Sequence, residues 1–340
     1  MSSRVAALGL VACLGFAWPA EVARAQLLGN VENGQSGLLA GTQNPVGLNF
    51  NPGFCLFHTS SYRGADGALH LTSVSENMAN APSISVAWIG PRKILGANYG
   101  VWISIWGASG RIDMTFDDSK QVVYGFGDTW IKPLELGWSF PHIDVLAGVA
   151  GYIPTGVYQP GGSYNTGYGM WGVEPSVGFT LWPDRGHHWN FATLIYYDIY
   201  SPRRGTIGPN GAHLRVGDIL SVQGALGYQF GDGTWIVGVP YYLQWKTTPD
   251  TIPNLGLLLP GVTAAKSFYG GLGLEVDWNP TDLDSFSVRW VQEIRGINAF
   301  MGPNVFLSYN RVFQIGRARP AAASGTASGA RPVNGPFAFW

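Results

Sequence analysis

The sequence predicts an all-β chain that closes into a transmembrane antiparallel β-barrel of about 12 strands. Three observations carry that expectation. The chain opens with a secretory address, its body alternates apolar and polar residues with a period of two, and Trp and Tyr recur where the alternating stretches end. The composition agrees. Of 340 residues, 12% are charged, 46% hydrophobic and 14% aromatic, with 14 Trp and 48 Gly, whereas an ordinary soluble domain carries roughly 25% charged residues. A net charge of −1 provides no basic excess for nucleic acid, and the abundant aromatics exclude disorder over the whole chain. Two Cys exclude a disulfide scaffold.

Residues 1–25 read as a signal peptide. Arg4 precedes an apolar run over residues 5–18, Pro19 ends it, and Ala23-Arg24-Ala25 supplies the small-x-small cleavage pattern. The run is shorter than the roughly 20 residues of a spanning helix. Leu10-Val11-Ala12-Cys13 resembles a lipoprotein site, but the downstream Ala-x-Ala fits better. Cleavage removes Arg4, Arg24 and Glu21, so 20 cations and 21 anions become 18 and 20. It leaves Cys55, near Phe54 and Phe57, as a lone packed thiol.

The strand cores follow in order near 54–63, 83–90, 97–107, 124–138, 142–153, 169–182, 188–199, 214–229, 234–246, 267–279, 284–295 and 304–315. Over 235–245 one face reads Trp235, Val237, Val239, Tyr241, Leu243 and Trp245, and the other Ile236, Gly238, Pro240, Tyr242 and Gln244, then Lys246. Later cores repeat this: Leu272, Leu274 and Val276 oppose Glu275 and Asp277, while Phe286, Val288 and Trp290 oppose Ser285, Ser287, Arg289, Glu293 and Arg295. Leu220 and Val222 oppose Arg215, Ser221 and Gln223; Val173 and Val177 oppose Glu174; Phe191 and Ile195 oppose Asn190 and Asp198. A soluble sandwich shares this signature, burying its apolar face between sheets. Strands of about ten residues, their aromatic ends and the secretory address favour a barrel with lipid outside and polar groups within. The core at 124–138 alternates poorly, because Asp128 and Lys132 share a face with Trp130 and Leu134.

Turns are expected at Asp232-Gly233, Asn279-Pro280 and residues 183–186, and outward loops at 155–168, 200–213 and 247–265. Residues 26–52, rich in Gly, Asn and Pro, are expected as a flexible leader, the preferred reading, or as an insert into the lumen. The barrel is then assigned to 53–315 and a low-complexity tail to 316–340. The terminal Trp340 resembles an outer-membrane assembly signal, with Phe313 as the rival strand end.

Several ordered patterns resemble the meta-pathway phenol-degradation family of outer-membrane proteins. They are Asn51-Pro52-Gly53-Phe54 leading to Ser61-Tyr62-Arg63-Gly64-Ala65-Asp66-Gly67, the K-x-x-G-x-x-Y-G pattern over residues 93–100, and Gly125-Phe126-Gly127-Asp128 followed by Pro133 and Leu136-Gly137-Trp138. Pro154-Thr155-Gly156-Val157-Tyr158 completes the set. The chain departs from the family at 213–218, where a T-x-Y-x-S-G-D pattern is usual, and in the tail. The resemblance implies an outer-membrane barrel that helps aromatic or other hydrophobic compounds cross, and leaves the solute open.

The candidate residues for such a path are inward-facing. Glu174, Arg215, Gln223, Lys246, Glu275, Arg289 and Glu293 would set field and width. Trp102, Trp106, Tyr196, Tyr242 and Tyr269 would line a greasy track. The competing reading is that they pair and fill the lumen as structure. No catalytic, metal or cofactor role is expected. Gly-Phe-Gly-Asp lacks the Lys-Ser/Thr of a phosphate loop, adjacent His187 and His188 point to opposite faces of a strand, and no G-x-S-x-G elbow occurs. The expected function is passive passage of small hydrophobic or aromatic compounds across the bacterial outer membrane. Outer-membrane lipid, such solutes and the barrel-assembly machinery are the expected partners. The rivals are a structural or adhesive barrel with a filled lumen and a lipid-acting barrel enzyme.

Overall fold

A computed structural model describes residues 24–25, 29–30, 32–71, 74–114, 119–160, 165–205, 213–251, 263–264 and 266–314. Twelve antiparallel strands close into one barrel: β1 Gly47–Thr59, β2 Val74–Ile94, β3 Ala97–Met114, β4 Thr129–Phe140, β5 Ile143–Ile153, β6 Gly172–Leu181, β7 Trp189–Tyr200, β8 Ile219–Phe230, β9 Trp235–Lys246, β10 Phe268–Trp278, β11 Asp284–Ile297 and β12 Pro303–Phe313. Each pairs with its sequence neighbours, and β12 closes on β1. The expected signal peptide lies outside the described residues except for Arg24 and Ala25, and the expected tail lies wholly outside them.

The connections alternate in length. Residues 95–96, 141–142, 182–188, 231–234 and 279–283 make short turns at one end, which by the usual asymmetry is periplasmic. The connections at the outward end are longer; their described residues include 154–160, 165–171, 201–205, 213–218 and 247–251. In the 182–188 turn, burial opposes ionisation of Asp184. The His188 and Trp189 amides and the His188 ring bond its carboxylate and hold it below the usual carboxylate range. That contribution is present above the ordinary carboxylate value and fades as pH falls through the lowered one.

Along each strand the apolar set faces out, as the alternation predicts. At the periplasmic end Trp235, Trp278, Phe286 and Tyr309 form a continuous ladder across four strands, with ring centroids 5.9, 5.3 and 4.8 Å apart. Trp245 and Phe268 pair at 5.4 Å near the outward end. These two belts frame the hydrocarbon band. Leu274, 62% exposed, sits mid-strand between them. Leu274→Arg is therefore expected to cost about 2–4 kcal/mol of barrel stability in vesicles. Urea midpoints measure this, and an unchanged midpoint would put that face away from lipid.

The structure departs from the alternation at defined places. The poor pattern in β4 is a bulge: Ile131 pairs with Gly151 and Leu134 with Val149, so the register slips across Lys132 and Pro133. Lys132 turns inward and is buried, whereas Leu134 faces out, not inward with Lys132 as strict alternation requires. A second slip leaves Gly270 opposite Arg295 and Gly271 opposite Glu293. It keeps Glu293 inward and leaves Arg295 exposed rather than in the lumen. The barrel begins at Gly47, not residue 53, because Asn49 and Asn51 are inward polar positions of β1. β2 and β3, of 21 and 18 residues, outrun the other strands. The outer part of β3 pairs with Ser119–Phe126, past the rim.

Candidate functional site

The inner wall does not enclose an empty lumen. Residues 32–46 run through it from the outward end to the start of β1, and Gln35, Ser36, Leu38, Leu39 and Ala40 are all within 2% of full burial. The wall holds this plug largely by its backbone. Gln223 Oε1 accepts the Ser36 amide at 3.0 Å, Glu275 Oε2 the Leu38 amide at 2.9 Å, and Thr180 Oγ1 the Gly41 amide at 3.2 Å. Arg289 Nη2 is 2.5 Å from Glu275 Oε1, and its Nη1 donates to the carbonyls of Gly34 and Gln35. Asn33 Nδ2 donates to Glu293 Oε1 at 3.1 Å, and Thr42 Oγ1 to Asp144 Oδ2 at 2.9 Å. Four of the sequence-derived candidates, Gln223, Glu275, Arg289 and Glu293, thus converge on one segment.

The other candidates fall elsewhere. Lys246 pairs with Asp250 at 2.8 Å with both side chains buried, and Asp250 also accepts the Gly217 amide at 2.8 Å. Arg215 is not on a strand wall. It forms an isolated bridge with Thr251 among the outward loops and pairs with Asp218 at 2.7 Å, because β8 begins only at Ile219. Tyr242 and Tyr269 pack with Phe306, Met301 and Val291. Trp102 and Tyr196 join Trp130, Tyr152, Met170 and Tyr200 in a cluster towards the outward end. Trp106 lies over Gly127 at the rim, where a Cβ would run into the indole. Glu174, fully buried, accepts the Tyr152 hydroxyl at 2.7 Å.

The motif residues bond to one another. Asp128 accepts the amides of Gly156 at 3.0 Å and Tyr168 at 2.8 Å, which ties Gly-x-Gly-Asp to Pro154-Thr155-Gly156. Thr129 and Thr155 hydroxyls are 2.8 Å apart, and Tyr158 covers Gly169, whose φ is +66°. Gly125 carries φ +156° and faces Thr166. At the other end the Trp138 indole donates to Leu95 O at 3.0 Å, and Tyr99 to Pro133 O at 2.6 Å. The set locks the strand junctions rather than forming one pocket. Asp128→Ala would leave two amides without acceptors, at about 1–3 kcal/mol each. Protease cleavage within residues 154–171 on intact cells should then rise, and an unchanged cleavage rate would remove that anchoring role.

Alternation reached most of the wall but not its partners. Trp130, Tyr152 and Tyr200 occupy inward positions at strand ends, and Asp198 was readable on the inward face of β7 without standing out as functional. Asp144 and the plug residues carried no such signal.

Residues 78–309 match the family described as "Putative MetA-pathway of phenol degradation". The chain belongs to that family. The crystal structure of an outer membrane channel from Pseudomonas putida F1 is similar in fold, with a TM-score of 0.66 and 16% identity over 79% of this chain and 96% of that one. More distant are the β domain of the Bordetella autotransporter BrkA (TM-score 0.44, 12% identity, 79% and 100% covered) and the P. putida toluene transporter TodX (TM-score 0.41, 9% identity, 83% and 96% covered). No curated protein sequence matches this one. The phenol-degradation family member described above is a β-barrel of the bacterial outer membrane.

Proposed function

We propose that the barrel is a passive conduit for small hydrophobic or aromatic compounds, its apolar outer face in contact with outer-membrane lipid. Membership of the phenol-degradation family carries the reading. The buried aromatic cluster of Trp102, Trp130, Tyr152, Tyr196 and Tyr200 supports it, since it places rings at the outward end of the interior on which an aromatic solute can stack once the plug moves. Below that cluster the plug fills the way, so passage requires residues 32–46 to shift. The test is flux of phenol and toluene into proteoliposomes carrying the purified barrel. Flux above that of empty vesicles supports the proposal, and flux equal to theirs removes it. The plug favours one rival, a structural barrel with a filled lumen. A folded protein silent in planar bilayers and inert towards every small aromatic would establish that rival.

A further inference from the structure

The turn between β2 and β3 places an apolar residue where its backbone disfavours one. Leu95 and Gly96 both have positive φ, +52° and +81°, the combination of a two-residue type I′ hairpin turn. The β8–β9 turn, also at the periplasmic end, has the same combination, with Asp232 at +54° and Gly233 at +83°. Asp suits that first position because its short polar side chain bonds locally, whereas a bulky apolar side chain there is a backbone outlier. Leu95 occupies it all the same and is 86% exposed, so the fold itself gives that side chain no cover.

The surroundings of the tip match a membrane surface. Ile94 is also exposed, and it pairs with Ala97, two residues from Tyr99. The Tyr99 ring meets Trp88 at 6.4 Å on the outer face, and Arg92, two residues before Ile94, shares that face. The Trp138 indole bonds the Leu95 carbonyl, which sets the tip at the level of the aromatic belt, where hydrocarbon gives way to headgroups. Arg92 and Lys93 are both exposed, and neither forms an ion pair with a described residue. The β8–β9 and β10–β11 turns instead expose the acids Asp232 and Asp282.

We propose that the β2–β3 hairpin is a docking site for an anionic phospholipid of the periplasmic leaflet, with Arg92 and Lys93 on its phosphate and Ile94 and Leu95 against its acyl chains. A guanidinium fork fits a phosphate with two bonds, and cations flanking apolar side chains are the pattern that reads anionic lipid. A zwitterionic headgroup brings its own cation beside the phosphate, which competes with Arg92, while phosphatidylglycerol brings none. Contact with acyl chains gives Leu95 the burial that the turn denies it. The site is on the outer surface and is independent of any passage through the lumen.

The test is hydrogen exchange of residues 91–96 in the full barrel, held in nanodiscs of phosphatidylethanolamine mixed with phosphatidylglycerol or, at the same fraction, phosphatidylcholine. Phosphatidylglycerol should slow that exchange about tenfold relative to phosphatidylcholine and leave the 231–234 turn unchanged. Arg92→Gln with Lys93→Gln should abolish the difference, Leu95→Asn should reduce it, and Arg185→Gln on another periplasmic turn should preserve it. Equal exchange in the two lipids overturns the proposal without any variant having to fold. So does slowing that survives in full in the Arg92/Lys93 or Leu95 variants, or that is lost equally in Arg185→Gln, which would assign it to charge around the whole rim.

Discussion

Gly41→Val is expected to expel the plug and open the barrel. Gly41 passes so close to β6 that a Cβ there would overlap the backbone of Phe179, and a Cβ on Gly178 beside it would stand 3.3 Å from Gly41 Cα. Backbone of a paired strand cannot yield as a side chain can, so the overlap must be relieved by moving the plug. An overpacking cost of about 3 kcal/mol shifts the ratio of seated to displaced plug about 100-fold. The strands themselves lose nothing, since Gly41 belongs to none of them. Single-channel conductance should therefore rise while the barrel still migrates as a folded species, and hydrogen exchange of residues 32–46 should accelerate. Unchanged conductance with a protected plug would show that the segment can be reseated without passing β6.

Arg289→Ala is expected to produce the largest loss of stability. The guanidinium is buried against Glu275 and bonds the carbonyls of Gly34 and Gln35, so one side chain joins β10, β11 and the plug. Its removal strands the Glu275 carboxylate, which keeps the Leu38 amide at 2.9 Å but no cation in contact. Breaking a buried ion pair from one side costs about 3–5 kcal/mol. Urea unfolding in vesicles should register that loss, and adding Glu275→Gln should restore part of it by removing the unpaired charge. If the single and double variants unfold at the same midpoint, the pair does not anchor the plug. Gly41→Val and Arg289→Ala separate two properties: the first frees the lumen with the wall intact, and the second weakens both.

The wall was legible in the sequence to the extent that one residue is enough to know its face. Val237, Val239 and Leu243 must lie together because a strand repeats every two residues, and water or lipid then decides which way they look. Trp235 and Trp278 pair across β9 and β10 because both end an apolar run at the same membrane level. That logic fails wherever an extra residue enters a ladder. At Lys132-Pro133 the register slips, and no local pattern tells a bulge from a lost strand. Arg215 failed differently: its spacing to Ser221 and Gln223 suits a strand, but Gly217 and the amides of residues 217 and 218 are engaged by Asp250 and Thr248, which hold the chain out of the sheet. The motifs were visible as a set, whereas their mutual bonds, such as Asp128 to Gly156, join positions far apart in the chain.

The sequence by itself determined a membrane barrel, its strand order and the polar character of its interior, because periodicity, aromatic ends and low charge are properties of segments read one at a time. Only the tertiary structure decided that residues 32–46 occupy the interior. The physical reason lies in who supplies the bonds. Gln223, Thr180, Glu275 and Arg289 belong to the wall, and they grip amides and carbonyls of the plug. Backbone groups are the same in every residue, so a Gly- and Asn-rich stretch that is gripped through them carries the same composition as one that is not.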